Sequence, residues 1–221
     1  MSVAILFFGT VAVITVWWLS QQGLTTKPWL EDGTIGGLRT AGALPLPAAK
    51  VGLWIFLAVV GSLFSLFILA YSMRMHMGDW RPLPAPKLLW LNTGVLILSS
   101  VALQKAQLAA GRGEIDGVRV SLFAGGVFTI AFLVGQLMAW RQLTVAGYFL
   151  ATNPASTFFY LLTAVHGLHL LGGMVALGRT TAKAWCGFEM EQARLGVELC
   201  AMYWHFLLLV WLVLFGLLLH A

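Results

Sequence analysis

Repeated apolar runs, each long enough to cross a membrane, constrain this sequence more than any other feature. A run of about 20 predominantly apolar residues can form a helix that crosses the hydrocarbon core of a bilayer. Only 10% of the 221 residues are charged, against roughly 25% in an ordinary soluble domain. A soluble fold of this size could not bury so much apolar surface, so we predict an all-α, polytopic transmembrane bundle of about six helices. The predicted spans lie near residues 3–19, 51–73, 88–110, 118–140, 155–178 and 198–219.

The first span admits two interpretations, a cleaved signal peptide or a retained helix. It lacks a positively charged leading segment and a small-x-small cleavage site, which favours a retained helix. Residues 25–49 are rich in glycine and proline, a composition typical of turns. We therefore divide the chain into an N-terminal helix with its Gly/Pro-rich loop, residues 1–49, and a five-helix transmembrane bundle, residues 50–221.

The basic residues lie singly between the apolar runs, and their distribution predicts an orientation. The net charge is +5, but no basic patch suggests a nucleic-acid partner, and we predict none. With the N-terminus outside, 9 of the 13 Lys and Arg residues fall in cytoplasmic loops and 4 in external loops, which favours both termini outside. The cytoplasmic set is Lys27, Arg39, Lys50, Lys105, Arg112, Arg119, Arg179, Lys183 and Arg194, and the external set is Arg74, Arg81, Lys87 and Arg141.

Four ionisable side chains are predicted to lie within spans, where charge is costly and each such residue suggests a site. His166 and His169 are three residues apart and share one helical face, and His205 lies in the last span. These histidines could ligate haem or a metal between facing helices, or hydrogen-bond to a neighbouring helix or a lipid headgroup. Glu198 precedes His205 by seven residues on a similar face, compatible with a structural polar pair or a proton relay. We favour hydrogen bonding and structural pairing.

Neither the cysteines nor the tryptophans require a ligand. Cys186 and Cys200 form no Cys-x-x-Cys pair, so neither a disulfide framework nor a thiolate metal site is indicated. Most tryptophans fall near the predicted span ends, where aromatic residues commonly line the membrane interface.

Four stretches, taken in order, are similar to one known family. Residues 153–173 read NPASTFFYLLTAVHGLHLLGG, with Ser and Phe-Phe before a His-Gly-x-His pair, and residues 203–215 read YWHFLLLVWLVLF. Leu91, Asn92 and Thr93 match a Leu-Asn-Thr helix start, and residues 52–58 read GLWIFLA. Over residues 50–220 the sequence therefore resembles subunit III of the haem-copper respiratory oxidases.

Three positions depart from the family pattern, and each replaces a carboxylate. Val60 stands where the family usually has a Glu after the GLWIFLA-like start. Ala139 replaces the Glu of a Gln-x-x-Glu-Trp pattern, and Leu208 replaces the Asp that follows Tyr-Trp-His-Phe. Any acid-dependent role that the family assigns to these positions cannot be performed by these residues.

The resemblance implies a noncatalytic accessory subunit of a proton-pumping terminal oxidase, which supports the stability and proton uptake of the catalytic subunit I. Haem and copper are then expected in that partner, with no cofactor or metal in this chain, and phospholipid is expected in a cleft. Other oxidase subunits are further expected partners. The implied lipid-binding or bundle-interior residues are Trp54, His166, His169, Glu198, Trp204 and His205.

Two alternatives stay open. The host complex could be a quinol oxidase or a nitric oxide reductase, since the electron donor binds elsewhere. The chain could instead be a stand-alone b-type cytochrome anchor that uses His166 or His169 with His205, which predicts a haem spectrum from the isolated chain. We expect a multi-pass protein of a bacterial inner (plasma) membrane.

Overall fold

Five long helices make up most of the computed structural model, which describes residues 48–81, 83, 86–150, 153–186 and 190–219. All five are long and apolar enough to cross a membrane. The all-α transmembrane prediction is therefore confirmed for this part of the chain. The predicted helix at 3–19 and residues 25–47 of the predicted loop at 25–49 lie outside the described residues, whereas Ala48 and Ala49 belong to the first described helix. The helices are α1 (Ala48–Arg74), α2 (Leu88–Arg112), α3 (Ile115–Val145), α4 (Pro154–Trp185) and α5 (Met190–Leu219).

Several helices extend beyond the predicted spans. The span predicted at 155–178 belongs to a helix that ends at Trp185, so α4 continues past Arg179 and Lys183. An apolar run in the sequence ends at the first charged residue, whereas the helix itself continues into the headgroup region, where basic side chains are well solvated. Arg119 of α3 also donates from Nε to the carbonyl of Ala184 over 3.0 Å, which places a cation at the C-terminal end of α4.

A short turn pairs α2 with α3 as antiparallel neighbours. Gly113 ends α2 with φ of 76°, a left-handed conformation that glycine adopts without a Cβ penalty. The N–H of Glu114 then donates to the carbonyl of Ala109 over 3.0 Å, which satisfies an otherwise free carbonyl at the helix end. Further along, a Cβ added at Gly135 would lie 2.0 Å from Oδ1 of Asn92, so glycine permits the close approach of these two helices.

Buried tryptophans join α5 to the α2–α3 pair. Trp204 is fully buried, and its Nε1 donates to Oγ1 of Thr129 on α3 over 3.0 Å. Trp211 makes a matching bond to α2. The Thr129 hydroxyl also lies 2.8 Å from the Ser99 hydroxyl of α2. Since an indole N–H usually finds a partner when buried, these bonds fix how the last helix packs against the others.

The start of α4 is tied to the loop after α1 by one side chain. Asn153 caps α4, since its Oδ1 accepts from the N–H of Ala155 over 3.2 Å, and Pro154 follows at the first helical position. Its Nδ2 also donates to the carbonyl of Arg81 over 2.5 Å. Nearby, Arg74 donates to Asp79 over 2.6 Å, and this hydrogen bond lowers the pKa of the Asp79 carboxyl.

Helix α1 packs more sparsely than the other four. It meets α5 where the Phe56 and Tyr203 rings lie 6.1 Å apart, and it meets α4 where the Phe64 and His169 rings lie 5.5 Å apart. The remainder of its surface is largely exposed and apolar, as expected for a helix that faces lipid. An open space therefore lies between one side of α1 and the helices α4 and α5.

Candidate functional site

A cavity of about 550 Å³ lies between the first three turns of α1, the middle of α4 and the first half of α5. Its volume falls within the range of about 300–1,000 Å³ that is common for small-molecule sites. Two lining residues, Phe56 and Leu168, are 48% and 66% exposed, so the cavity opens onto the surface of the bundle. The lining is mainly apolar and includes Leu53, Phe56, His169, Gly172, Tyr203 and Trp204.

His169 lies at the wall of this cavity and is oriented by its own helix. Its Nδ1 is 2.8 Å from the carbonyl oxygen of Val165, and because a carbonyl only accepts, Nδ1 carries the proton. In the neutral ring, Nε2 is then an acceptor. The Tyr203 hydroxyl donates to the backbone carbonyl of His169 over 2.9 Å, which ties α5 to α4 beside the cavity.

Glycine at 173 allows that contact. A Cβ added there would lie 2.5 Å from Cε1 of Tyr203, a distance that carbon atoms cannot adopt without a shift of the ring or the helix. The tyrosine ring thus lies directly on the α4 backbone. This packing sets the separation of α4 and α5 along the inner wall of the cavity.

His166 lies in the core and does not line the cavity. It is fully buried, and aromatic rings of three other helices surround it: Phe64 at 6.2 Å, Phe132 at 6.0 Å and Trp211 at 5.2 Å between ring centroids. Neither ring nitrogen has a hydrogen-bond partner among the residues that the structure describes. A haem plane bonded to His166 would have to occupy the space that these rings fill.

Glu198 and His205 do not pair with each other or with the other histidines. The Glu198 carboxylate accepts from Nζ of Lys50 on α1 over 2.6 Å. His205 is exposed, and its Nδ1 lies 2.5 Å from the carbonyl oxygen of Ala201 one turn earlier. In place of the polar pair of Glu198 and His205 considered from the sequence, the structure has an ion pair between α1 and α5 and a hydrogen bond of His205 within its own helix.

The two predicted tryptophans lie in different environments. Trp204 is fully buried and lines the inner end of the cavity. Trp54 is 45% exposed on the surface of α1, and its neighbours Leu53 and Phe56 line the cavity instead. The structure thus brings His169 and Trp204 together at one cavity and leaves His166, Trp54 and His205 outside it.

The positions without the family's carboxylates are apolar packing positions. Val60 on α1 and Ala139 on α3 are buried in the hydrophobic core. Leu208 on α5 is partly buried and packs against that core. Among the described residues, no three His, Cys, Asp or Glu side chains come together in a group that could hold a metal ion.

Two residues of the site were missed from the sequence. The sequence predicts Lys50 as a charge of a cytoplasmic loop and contains Tyr203 in a family motif, and neither is predicted as a site residue. Lys50 and Glu198 are 148 positions apart in the sequence. Their pairing can be predicted only when it is known that α1 and α5 are neighbours. The sequence does carry one indication of this pairing. Lys50 and Glu198 have opposite charges and lie at the ends of the first and last spans of the five-helix bundle that are predicted to face the same side of the membrane.

Comparison with known proteins assigns the family. The family model for cytochrome c oxidase subunit III matches residues 33–220. A cytochrome c oxidase subunit 3 of Thermostichus vulcanus is 31% identical over 76% of this chain and 85% of that protein. A probable cytochrome c oxidase subunit 3 of Mycobacterium bovis is 36% identical over 68% and 76% of the two chains. With five helices able to cross a bilayer among the described residues, the chain is a multi-pass integral protein of the bacterial plasma membrane. It belongs to the cytochrome c oxidase subunit III family, and other oxidase subunits are its partners.

Proposed function

We propose that this chain is a noncatalytic accessory subunit of a proton-pumping cytochrome c oxidase, and that it holds phospholipid in the cavity between α1, α4 and α5. The cavity is the observation that carries the proposal, since it is apolar, opens at the exposed side chains of Phe56 and Leu168, and lies within membrane-spanning helices. An acyl chain is the ligand that a bilayer supplies in greatest abundance. The expected partner is the catalytic subunit I, which would hold the haem and copper.

The surroundings of the histidines support a chain without its own haem. His166 is enclosed by aromatic rings. His169 and His205 each direct Nδ1 to a carbonyl of their own helix. A bis-histidine haem needs two imidazoles on opposite sides of one iron, whereas His166 and His169 lie on the same helix and His205 is exposed on another.

Two cations near one end of the cavity support a phospholipid as the ligand over an uncharged apolar molecule. Lys50 follows the lining residue Ala49, and Arg179 on α4 comes three residues after the lining residue Ala176. Both cations therefore lie near one end of an apolar cavity, as a phosphate group with attached acyl chains requires. By the predicted orientation this end faces the cytoplasm. Lipid bound there would stabilise the sparsely packed α1 and, through the bundle, support proton uptake by the partner.

The assembly is tested by purification in mild detergent through a tag on this chain, followed by mass spectrometry of the proteins and a reduced-minus-oxidised spectrum. We expect a haem-bearing catalytic subunit to co-purify, with the spectrum lost when this chain is separated alone. A haem spectrum that stays with the isolated chain would identify a b-type cytochrome and contradict the proposal. Co-purification with a quinol oxidase or a nitric oxide reductase would instead identify that enzyme as the complex to which this chain belongs.

Lipid binding is tested on the same complex. Phospholipid that remains after extensive detergent exchange is quantified in the wild type and in Gly172→Phe, which fills the cavity at a position where an added Cβ meets nothing within 4 Å. We expect the variant to lose lipid and to shorten the lifetime of turnover. Gly94→Phe, also open but on α2, is the matched control. Equal lipid content in all three proteins would contradict a lipid site in the cavity.

A further inference from the structure

The end of α1 and the turn after it concentrate sulfur and imidazole side chains. Residues 73–77 read MRMHM, so three of the 8 methionines and one of the 5 histidines of the chain fall within five positions. The cavity described above lies at the other, N-terminal end of α1, and none of these five residues lines it. The proposed lipid site therefore does not account for this cluster.

The backbone brings three of these side chains onto one side of the helix end. The N–H of Met75 donates to a carbonyl one turn earlier over 2.9 Å, and the N–H of Met77 donates to the carbonyl of Arg74 over 3.1 Å. The chain thus continues past the end of α1 for one tightened turn. Met73, His76 and Met77 then follow the helical spacing i, i+3 and i+4, at which Cβ atoms are about 5–6 Å apart.

These three side chains are exposed, whereas the third methionine is not. Met73 and Met77 are 66% and 59% exposed, and His76 is exposed between them. The imidazole of His76 makes no hydrogen bond or ion pair within the described part of the chain. Met75, in contrast, is partly buried and packs against the hydrophobic core. Two thioether sulfurs and one imidazole are therefore available to an ion, and Met75 has a structural role.

The turn that carries these groups is held in place from both ends. Arg74 forms an ion pair with Asp79, and the N–H of Trp80 donates to the carbonyl of Met77 over 3.1 Å. A turn that is fixed before binding loses less entropy when a ligand arrives. The ion pair also balances the positive charge of Arg74, so that charge does not stand uncompensated beside a bound cation.

The chemistry of the three groups selects among metal ions. Thioether sulfur is a soft ligand that favours Cu(I), and imidazole also suits copper, whereas Mg²⁺ and Ca²⁺ take oxygen ligands. Zinc sites in proteins are built from thiolate, imidazole and carboxylate, and residues 73–77 contain neither cysteine nor a carboxylate. The ligand set therefore fits a soft monovalent ion better than a divalent one.

We propose that Met73, His76 and Met77 form a surface site for Cu(I), with two thioether sulfurs and one imidazole nitrogen as its ligands. By the predicted orientation, in which Arg74 belongs to the external set, the site faces the outside of the cell. It goes beyond the proposed accessory and lipid-binding function, and it is additional to the copper expected in the catalytic subunit.

The binding test uses the intact complex, purified in mild detergent through a tag on this chain. The complex is incubated without oxygen with Cu(I), ascorbate and the chromophoric chelator bicinchoninate, and the copper that it withdraws from the chelator is measured. We expect the wild type to bind one Cu(I) beyond its resident copper. The affinity should fall about tenfold or more in Met73→Leu, Met77→Leu and His76→Gln, because even the loss of a group that supports a metal ligand costs about 10–100-fold.

Met75→Leu is the matched control, since it removes a sulfur from the same segment on the side that packs against the core. It should bind Cu(I) as the wild type does. Leucine and methionine have similar volumes, and size-exclusion chromatography with the haem spectrum checks that each variant complex is intact. Absence of extra Cu(I) in the wild type, or binding that persists when Met73 and Met77 are both replaced, would overturn the proposal. Equal losses in Met75→Leu and Met73→Leu, or displacement of Cu(I) by equimolar Zn²⁺, would overturn it too.

The position of the ion is tested with Ag(I), a soft monovalent ion that the oxidase does not otherwise contain. Peroxide converts exposed methionine to its sulfoxide, and peptide mass spectrometry measures this conversion at each residue. Ag(I) should protect Met73 and Met77 and leave the oxidation of Met138, which is 56% exposed on α3, unchanged. Oxidation of Met73 and Met77 at the same rate with and without Ag(I) would show that these sulfurs do not bind the ion.

Discussion

Nε1 of Trp211 donates to Oγ1 of Thr93 over 3.0 Å, across 118 residues of sequence. Both side chains are buried, so this bond joins the last helix to α2 inside the bundle. A donor left without a partner in such a place costs about 1–3 kcal/mol. The bond therefore leads directly to a prediction about stability.

Thr93→Val should destabilise the protein by about 1–3 kcal/mol, because the shape is kept while the Trp211 indole loses its acceptor. The measurement is the thermal or denaturant-induced unfolding of the purified complex. Ser62→Ala is the control, since the Ser62 hydroxyl is exposed and donates to the carbonyl of Ala58 one turn earlier in its own helix. A loss in the control as large as in Thr93→Val would contradict a specific role for the interhelical bond.

Gly173→Ala should destabilise the packing of α4 against α5, because the new methyl group would lie 2.5 Å from Tyr203. We expect a loss of about 1–3 kcal/mol, typical of overpacking. Gly178→Ala on the same helix is the matched control, since an added Cβ there meets nothing within 4 Å. Alanine is favoured over glycine in a helix by roughly 0.5–1 kcal/mol, so the control should be neutral or stabilised. Equal stability of the two variants would disprove the close approach.

His166→Phe should leave the fold intact and be neutral or stabilising. The imidazole nitrogens are buried among aromatic rings and have no hydrogen-bond partner in the described part of the chain. An apolar ring of similar shape would remove polar atoms that gain no hydrogen bond there. Unfolding of the complex measures this. A marked loss of stability would show that the His166 nitrogens are bonded in the membrane. A loss of haem from the purified complex of this variant would support ligation of haem by His166.

His205→Ala should weaken association with a partner subunit or the retention of lipid while the haem content per catalytic subunit stays constant. His205 is exposed on α5, and an exposed imidazole at membrane depth is costly unless another molecule covers it. Size-exclusion chromatography, lipid analysis and a pyridine haemochrome assay report the three quantities. Loss of haem in proportion to the variant chain would favour the cytochrome alternative.

A hydrophobic carbodiimide should not label α1. This reagent reacts with carboxyl groups sheltered in the membrane, and Ala48–Arg74 contains no Asp or Glu, with Val60 at the family's Glu position. Digestion and mass spectrometry of the treated complex will locate any adduct. Stoichiometric modification between residues 51 and 73 would show that the alignment of this helix with the family is wrong.

The five described helices could be predicted from the sequence because lipid imposes a simple requirement on each span separately. Their ends were less predictable, since α4 continues past Arg179 and Lys183. The site was harder to predict, because it depends on which helices are neighbours. His166 and His169 share one sequence motif, yet one lies in the core and the other at a cavity. Helical spacing places both on a similar face but does not reveal that α5 and α1 divide that face between them.

The origin of the cavity walls also has a consequence for biosynthesis. Its walls come from α1, α4 and α5, and the residues of its flanking ion pair are separated by 148 positions. The ribosome therefore synthesises α1 long before α4 and α5. Until the final helix enters the bilayer, Lys50 has no carboxylate beside it and α1 has lipid on the side that Tyr203 later occupies. If the cavity holds lipid as proposed, its capture is a late event of maturation, and a chain truncated before residue 198 would insert the first four described helices without completing the cavity.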